Sequence, residues 1–155
     1  MTSLAMPALD DAVMSRRSEI LSALSAIVPG EGVVSDENSM RAFESDGLTA
    51  YKALPFIVVL PETVDQVAEV LKYCHANGIK VVPRGSGTSL SGGALPLEDA
   101  VLLVMSKFNN VLEVDFPNRC AVVQPGVTNL GITNTVEHEG FYYAPDPSSQ
   151  IACSI

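Results

Sequence analysis

Basic residues are scarce in this chain of 155 residues: nine Lys and Arg face 18 Asp and Glu, for a net charge of -9 at pH 7. No stretch gathers Lys and Arg into a patch, which excludes the electrostatic footprint of a nucleic-acid binder. An acidic surface also disfavours a polyanion as the main partner, while leaving room for one local phosphate site. Cysteine is sparse as well. Cys74, Cys120 and Cys153 are odd in number, far apart and never paired as Cys-x-x-Cys. That excludes a disulfide framework and a zinc site and fits a reducing compartment. It predicts three small buried hydrophobes instead. Long apolar runs are also missing, since none reaches the roughly 18 residues that a membrane span needs. No internal repeat, low-complexity tract or clear linker interrupts the chain.

What is present reads as one folded domain. The hydrophobic fraction is 47% and the charged fraction 17%, a balance unlike that of disordered chains. Ser15 to Val28, "SRRSEILSALSAIV", has the twin arginines of an export signal. Glu19 breaks its apolar region, however, and "PGEG" follows where small residues should mark cleavage. Val13, Ile20, Leu21, Leu24, Ile27 and Val28 recur instead at helical spacing, which predicts an amphipathic surface helix stopped by Pro29-Gly30. A cytoplasmic protein is expected.

Further along, Val33-Val34 precedes "SDENSMRAF", a brief helix capped by Ser35 or Asp36. "FIVVLP" is an apolar run of strand length. Thr63 with Gln66 forms a capping box for a helix whose apolar face is Val64, Val67, Val70, Leu71 and Cys74. Asn77-Gly78 supplies its left-handed stop, and "IKVV" is the next strand. Phe56 to Val82 therefore forms a strand-helix-strand crossover with parallel strands. "VLLVMS", "VLEVD" and "CAVVQPG" read as three strands of a meander. A last helix, "TNLGITNTVEHEG", is capped by Thr128 or Asn129 and ended by Gly140. One parallel unit plus antiparallel strands defines an α+β fold.

"VVPRGSGTSLSGGALP" then raises the question of chemistry. Its glycines fit neither familiar phosphate motif. Leu90 replaces the third glycine of Gly-x-Gly-x-x-Gly, and Gly92-Gly93 with Pro96 forbid the helix that should begin there. Gly87 and Gly92 have the Walker A interval, but Gly93-Ala94 stands where Lys-Ser/Thr is required. What remains is a strand running into small residues. Successive backbone N–H groups there can turn inward as an anion nest, and a diphosphate is the natural guest. Ser86, Thr88, Ser89 and Ser91 add hydroxyl donors, and Arg84 offers a charge-assisted contact. A mobile surface loop is the alternative. Val122–Val127, which ends in Pro-Gly, and Ala144–Ser154, rich in Pro and Ser, are either ordinary turns or further walls of the same site.

These segments carry a resemblance. "PRGSGTSLSGGALPLE", "VQPGVTNL" and "YYAPDPSSQIACSI" resemble the FAD domain of the vanillyl-alcohol oxidase/p-cresol methylhydroxylase superfamily. More narrowly they resemble its FAD-linked glycolate oxidase and D-lactate dehydrogenase branch. "DGLTAYKALPFIVVLPETVDQVAEVLKYCHANGIKVVPRG" is similar to that branch's opening, so the likeness runs from about Asp36 onward. It implies a PCMH-type FAD-binding domain over 51–155 after an N-terminal helical segment, 1–50. It implies that Pro83, Arg84, Gly85, Ser86, Gly87, Thr88, Ser89, Gly92 and Gly93 cradle the FAD pyrophosphate. Pro125, Gly126 and Val127, with Pro145, Asp146, Pro147, Ser149, Cys153 and Ile155, would line the flavin and its ribityl-phosphate chain. No thiol chemistry is assigned to Cys153.

The departures from the family pattern are also instructive. Relatives that attach FAD covalently carry Arg-Gly-x-Gly-His in this loop; Thr88 stands at the histidine's place, which implies dissociable FAD. His75 and His138 are expected as exposed helix-end residues. Family members continue with Gly-Gly-Asn after the position of Ile155 and add a substrate-binding domain holding the catalytic histidines and a metal site. The resemblance thus implies an N-terminal fragment with no catalytic or metal residue of its own, and with apolar surface left exposed. The parent activity implied is FAD-dependent oxidation of a small 2-hydroxy acid, glycolate or D-lactate, to the 2-oxo acid. A non-catalytic FAD or nucleotide-diphosphate module acting with a partner subunit is the alternative. Partner subunits of a glycolate oxidase complex would place it in the cytoplasm or peripherally at the inner membrane.

Overall fold

Asp10 starts the first helix by accepting the amides of Ala12 and Val13 on its carboxylate. The computed structural model describes residues 8–155, so residues 1–7 of the expected N-terminal segment lie outside it. The single helix anticipated from periodicity is two: α1 (Asp11–Ser15) and α2 (Arg17–Ile27). Arg16 sits between them at φ -96° and ψ 12°. Its guanidinium reaches Glu19 and, at 2.6 Å, the side-chain oxygen of Asn77. Ile20, Leu24 and Val28 nevertheless form the buried stripe. After β1 (Val33–Val34), Asp36 caps α3 (Glu37–Met40) through the Ser39 amide, and one 3-10 turn continues to Phe43.

The central sheet runs β1-β2-β4-β3, with β2 at Ile57–Val59, β3 at Lys80–Arg84 and β4 at Ala100–Val104. β2 and β3 each pair parallel with β4, which lies between them, and β1 pairs antiparallel with β2. The crossover from β2 to β3 is α4 (Val64–Ala76), and both halves of its capping box are formed. The five residues of β4 are all buried, as expected for a parallel strand covered on both faces. Each of its Val and Leu side chains contributes about 1.5–3 kcal/mol relative to an exposed one.

Residue alternation divides the core into two faces. Ile57, Val59, Val101 and Leu103 pack with α2 and α4, while Val58, Leu102 and Val104 pack with Met40, Phe43 and Leu54. The N-terminal helices therefore share one core with the strands that follow.

Two expectations need correction. The meander does not exist: "VLLVM" is the centre of the parallel sheet, and only β5 (Val111–Asp115) and β6 (Cys120–Val123) form an antiparallel hairpin. Leu71 and Val64 of α4 are 44% and 71% exposed. Both lie roughly 70–90° round the helix, at 100° per residue, from the stripe made by Val67, Val70 and Cys74. α5 (Asn129–Val136) is capped by Thr128 and leads through a short 3-10 turn to Gly140 in the left-handed region. Among the described residues no helix is long and apolar enough to cross a membrane.

Candidate cofactor-binding site

The loop that leaves β3 is fixed at its root by the sheet. The Arg84 carbonyl accepts the Met105 amide at 2.8 Å, and the chain then turns through Gly87 and Gly92 at φ +74° and +76°. The Ser86 amide donates to Ser154 Oγ at 3.0 Å, and the Ser91 amide to Ser89 Oγ at 3.3 Å. Among the described residues, the amides of Gly87, Thr88, Ser89 and Leu90 have no hydrogen-bond partner. Backbone donors are normally paired with protein or solvent. A run of amides without a protein partner on a loop of small side chains is the arrangement that can receive an anion such as a diphosphate.

Arg84 sends Nη1 inward while Nη2 and Nε lie against Gly87 of the loop. The side chain is 8% exposed, and Nη1 donates to Ser45 O at 2.8 Å and Ala94 O at 3.2 Å. Burial lowers its pKa, and the charge of Asp46 partly offsets that. A Cβ on Gly87 would overlap this guanidinium, so glycine there serves both the positive φ and the close approach.

The second predicted wall is built by close backbone packing. The Gly126 amide donates to Phe108 O at 2.7 Å, and a Cβ there would stand 2.6 Å from the same oxygen. Val127 is buried, whereas Pro125 is exposed. The third wall is docked onto the start of α5. Asn129 Nδ2 donates to Pro145 O at 3.0 Å, and the amides of Asn129 and Leu130 donate to Cys153 O and Gln150 O. The Ile155 amide returns to Val127 O at 3.1 Å, and Ser154 bridges Thr128.

The structure thus brings the loop, residues 126–128 and residues 153–155 together. Beside Ser86 and residues 126–128 lies a cavity of about 430 Å³, bounded also by Ser106, Asn109 and Thr135. Pro145, Asp146 and Pro147 lie exposed, and Ser149 is half-buried.

Sequence reasoning missed Ser106, Asn109 and Thr135 as walls and Asn129 as the tie to Pro145. It also missed Asp46 and Gly47, which lie against the loop. Asn129 carried a readable signal, a polar residue inside an apolar helix face; its Oδ1 is buried without a partner. Of the three cysteines expected to be buried, only Cys74 is; Cys120 is exposed and Cys153 half-buried. Cys120 sits on a two-stranded hairpin too small to cover it. His75 and His138 lie exposed at helix ends. No group of His, Cys, Asp or Glu among the described residues could hold a metal ion.

Residues 55–155 match the family model described as an FAD binding domain. The chain belongs to that family, and FAD is its cofactor. It is 50% identical over 139 residues to the glycolate oxidase subunit GlcD of Escherichia coli (strain K12), an overlap of 90% of this chain and 28% of that protein. The chain therefore spans little more than a quarter of that relative's length. The fold is that of alkyldihydroxyacetonephosphate synthase, with a TM-score of 0.76 at 22% identity over 88% of this chain and 28% of that one. p-Cresol methylhydroxylase gives a TM-score of 0.71 at 22% identity over 85% and 26%. These two likenesses carry the PCMH-type α+β fold and nothing beyond it.

Proposed function

We propose that this chain is the cofactor-holding part of a flavin-dependent oxidoreductase that converts a small 2-hydroxy acid to the 2-oxo acid. Glycolate is the first substrate to test and D-lactate the second. The observation that carries this reading is the 50% identity to a glycolate oxidase subunit across 90% of the chain. FAD, when bound, supplies the two-electron redox step, while protein supplies binding and orientation. The amides of Gly85, Gly87, Thr88 and Ser89, with Gly92 and Gly93, receive the diphosphate, and the hydroxyls of Ser86, Thr88 and Ser89 supplement them. Pro125, Gly126 and Val127 form one flank for the ribityl-phosphate and flavin. Pro145, Asp146, Pro147, Ser149, Cys153 and Ile155 form the other. With Thr88 where a covalent histidine would stand, the cofactor is held non-covalently. Substrate-binding and proton-transferring groups belong to other parts of the polypeptide. It works with partner subunits in the cytoplasm, or at the inner membrane through them.

The test is FAD uptake and turnover by the intact polypeptide. A yellow protein that reduces a dye when given glycolate or D-lactate supports the proposal. A yellow protein inert to both acids, alone and with its partners, reduces it to a binding module. A colourless protein that takes up no FAD ends it.

A further inference from the structure

Within residues 83–93 the only Lys or Arg is Arg84, the cation a diphosphate would be expected to meet. Its Nη1 turns into the protein, while Nη2 and Nε pack against Gly87. Nη1 donates to Ser45 O, Ala94 O and, at 3.4 Å, Phe43 O, and the guanidinium lies 5.9 Å from the centre of the Phe43 ring. Ala94 closes the loop whose root Arg84 forms, so one group fastens the loop's far end to its start.

Phe43 and Ser45 precede the 55–155 family match, and their segment meets the loop a second time. A Cβ on Gly47 would stand 2.7 Å from Thr88 O and 2.8 Å from Ser89 O. These two carbonyls therefore rest against the bare Cα of Gly47. In a planar trans peptide, the carbonyl of one residue and the N–H of the next point in opposite directions. Seating Thr88 O and Ser89 O on Gly47 thus turns the N–H groups of Ser89 and Leu90 away from it. Those are two of the consecutive unpartnered donors from Gly87 to Leu90. Asp46, buried beside this contact, supplies the charge that acts on the guanidinium.

We propose that Arg84 is a positioning residue and not a phosphate ligand: with Gly47 it holds the 85–93 loop so that the amides of Ser89 and Leu90 face outward before FAD arrives. The inference rests on FAD as the guest of this loop. Arg84 is suited to the task because a planar fork of donors can satisfy several carbonyls at once, which a lysine ammonium on a flexible stem does poorly.

The test compares intact wild type with Arg84→Lys, Arg84→Gln and Gly47→Ala, using circular dichroism to verify the fold. FAD dissociation constants are measured at several salt concentrations, and amide exchange of the loop is followed without FAD. Arg84→Lys is expected to weaken FAD about ten- to a hundredfold despite its retained charge, because buried carbonyls lose their donors. Gly47→Ala does the same with no change of charge. In both, exchange at Ser89 and Leu90 rises and the salt dependence of binding stays at the wild-type slope. Near-normal binding by Arg84→Lys, with loss and a flatter salt slope in Arg84→Gln, assigns Arg84 to the phosphates and overturns the proposal. If the Arg84 variants do not fold, Gly47→Ala decides: unchanged FAD affinity overturns it. A wild type that takes up no FAD refutes the underlying site as well, which distinguishes that failure from a wild type that binds and variants that bind equally.

Discussion

Ser154 Oγ accepts the Ser86 amide at 3.0 Å across 68 positions of chain, and a Cβ on Gly85 would overlap the same oxygen. The root of the glycine loop and the C-terminal segment are thus fitted edge to edge. Ser154→Ala removes one half-exposed hydrogen bond and is expected to lower the unfolding free energy by about 0.5–1.5 kcal/mol. Gly85→Ala is expected to cost about as much, because the new methyl turns the same hydroxyl aside and breaks the same bond. The double variant recovers part of that cost, since the alanine at position 154 vacates the space. Urea midpoints of the four proteins measure the coupling; strict additivity would show that the two positions do not touch.

Gly126→Ala tests a tighter contact. The added Cβ would meet the carbonyls of Met105 and Phe108, the latter at 2.6 Å, and both belong to backbone with little freedom to yield. Overpacking of this kind costs about 1–3 kcal/mol. Since Gly126 also borders the cavity beside Ser86, the variant is expected to lose both thermal stability and FAD affinity. A normal melting temperature together with normal FAD binding would remove Gly126 from the site.

Local features were legible and distant ones were not. The Thr63–Gln66 capping box spans four positions, and the Asp36 and Thr128 caps each bond an amide three residues on. Such contacts are decided within one helical turn. The apolar run at Ala100–Val104 announced burial, but its neighbours β2 and β3 are chosen by the topology of the whole sheet. A run of that kind cannot tell a meander from a parallel centre. The same limit governs Arg84. Its position in a glycine loop suggested an anion contact, and nothing nearby in the sequence announced that Nη1 would also bond Phe43 and Ser45, 41 and 39 residues upstream. The three walls of the site could be named separately; that Ser154 reaches Ser86 is a property of the fold.

The residue at position 88 decides how the flavin should leave. A threonine offers no imidazole for attachment, so acid precipitation or a denaturant is expected to release all FAD into the supernatant. Flavin fluorescence of the washed pellet is the measurement. Colour that remains with the denatured polypeptide would mean a covalent link formed elsewhere.

Two of the cysteines should differ sharply in reactivity. Burial pushes the Cys74 thiol up to about 11, and the thiolate is the nucleophile. Cys120 lies exposed on β6. At pH 8 an alkylating reagent is expected to label Cys120 in the native protein and Cys74 only after unfolding, as read by peptide mass spectrometry. Equal labelling of both without denaturant would contradict the packing of α4 on the sheet.

Asp99 gives the fold an acid-sensitive joint. It is 3% exposed, and Oδ2 accepts the Asp10 amide at 2.9 Å as well as the Lys80 ammonium. Burial alone would raise its pKa, but the Lys80 and Asp10 hydrogen bonds outweigh burial and hold it below the usual 3.8. A carboxylate depressed in the folded state contributes stability that is present above 3.8 and lost as pH falls through the lower folded value. Unfolding free energy should therefore decline as pH drops below about 4, the ordinary carboxylate range. Asp99→Asn should cost about 1–2 kcal/mol at neutral pH, a charged hydrogen bond to a half-exposed lysine being worth roughly that. It should also flatten the acid limb. Denaturation curves of both proteins from pH 7 to pH 3 measure this, and identical acid limbs would show that Asp99 titrates alike in the folded and unfolded chains.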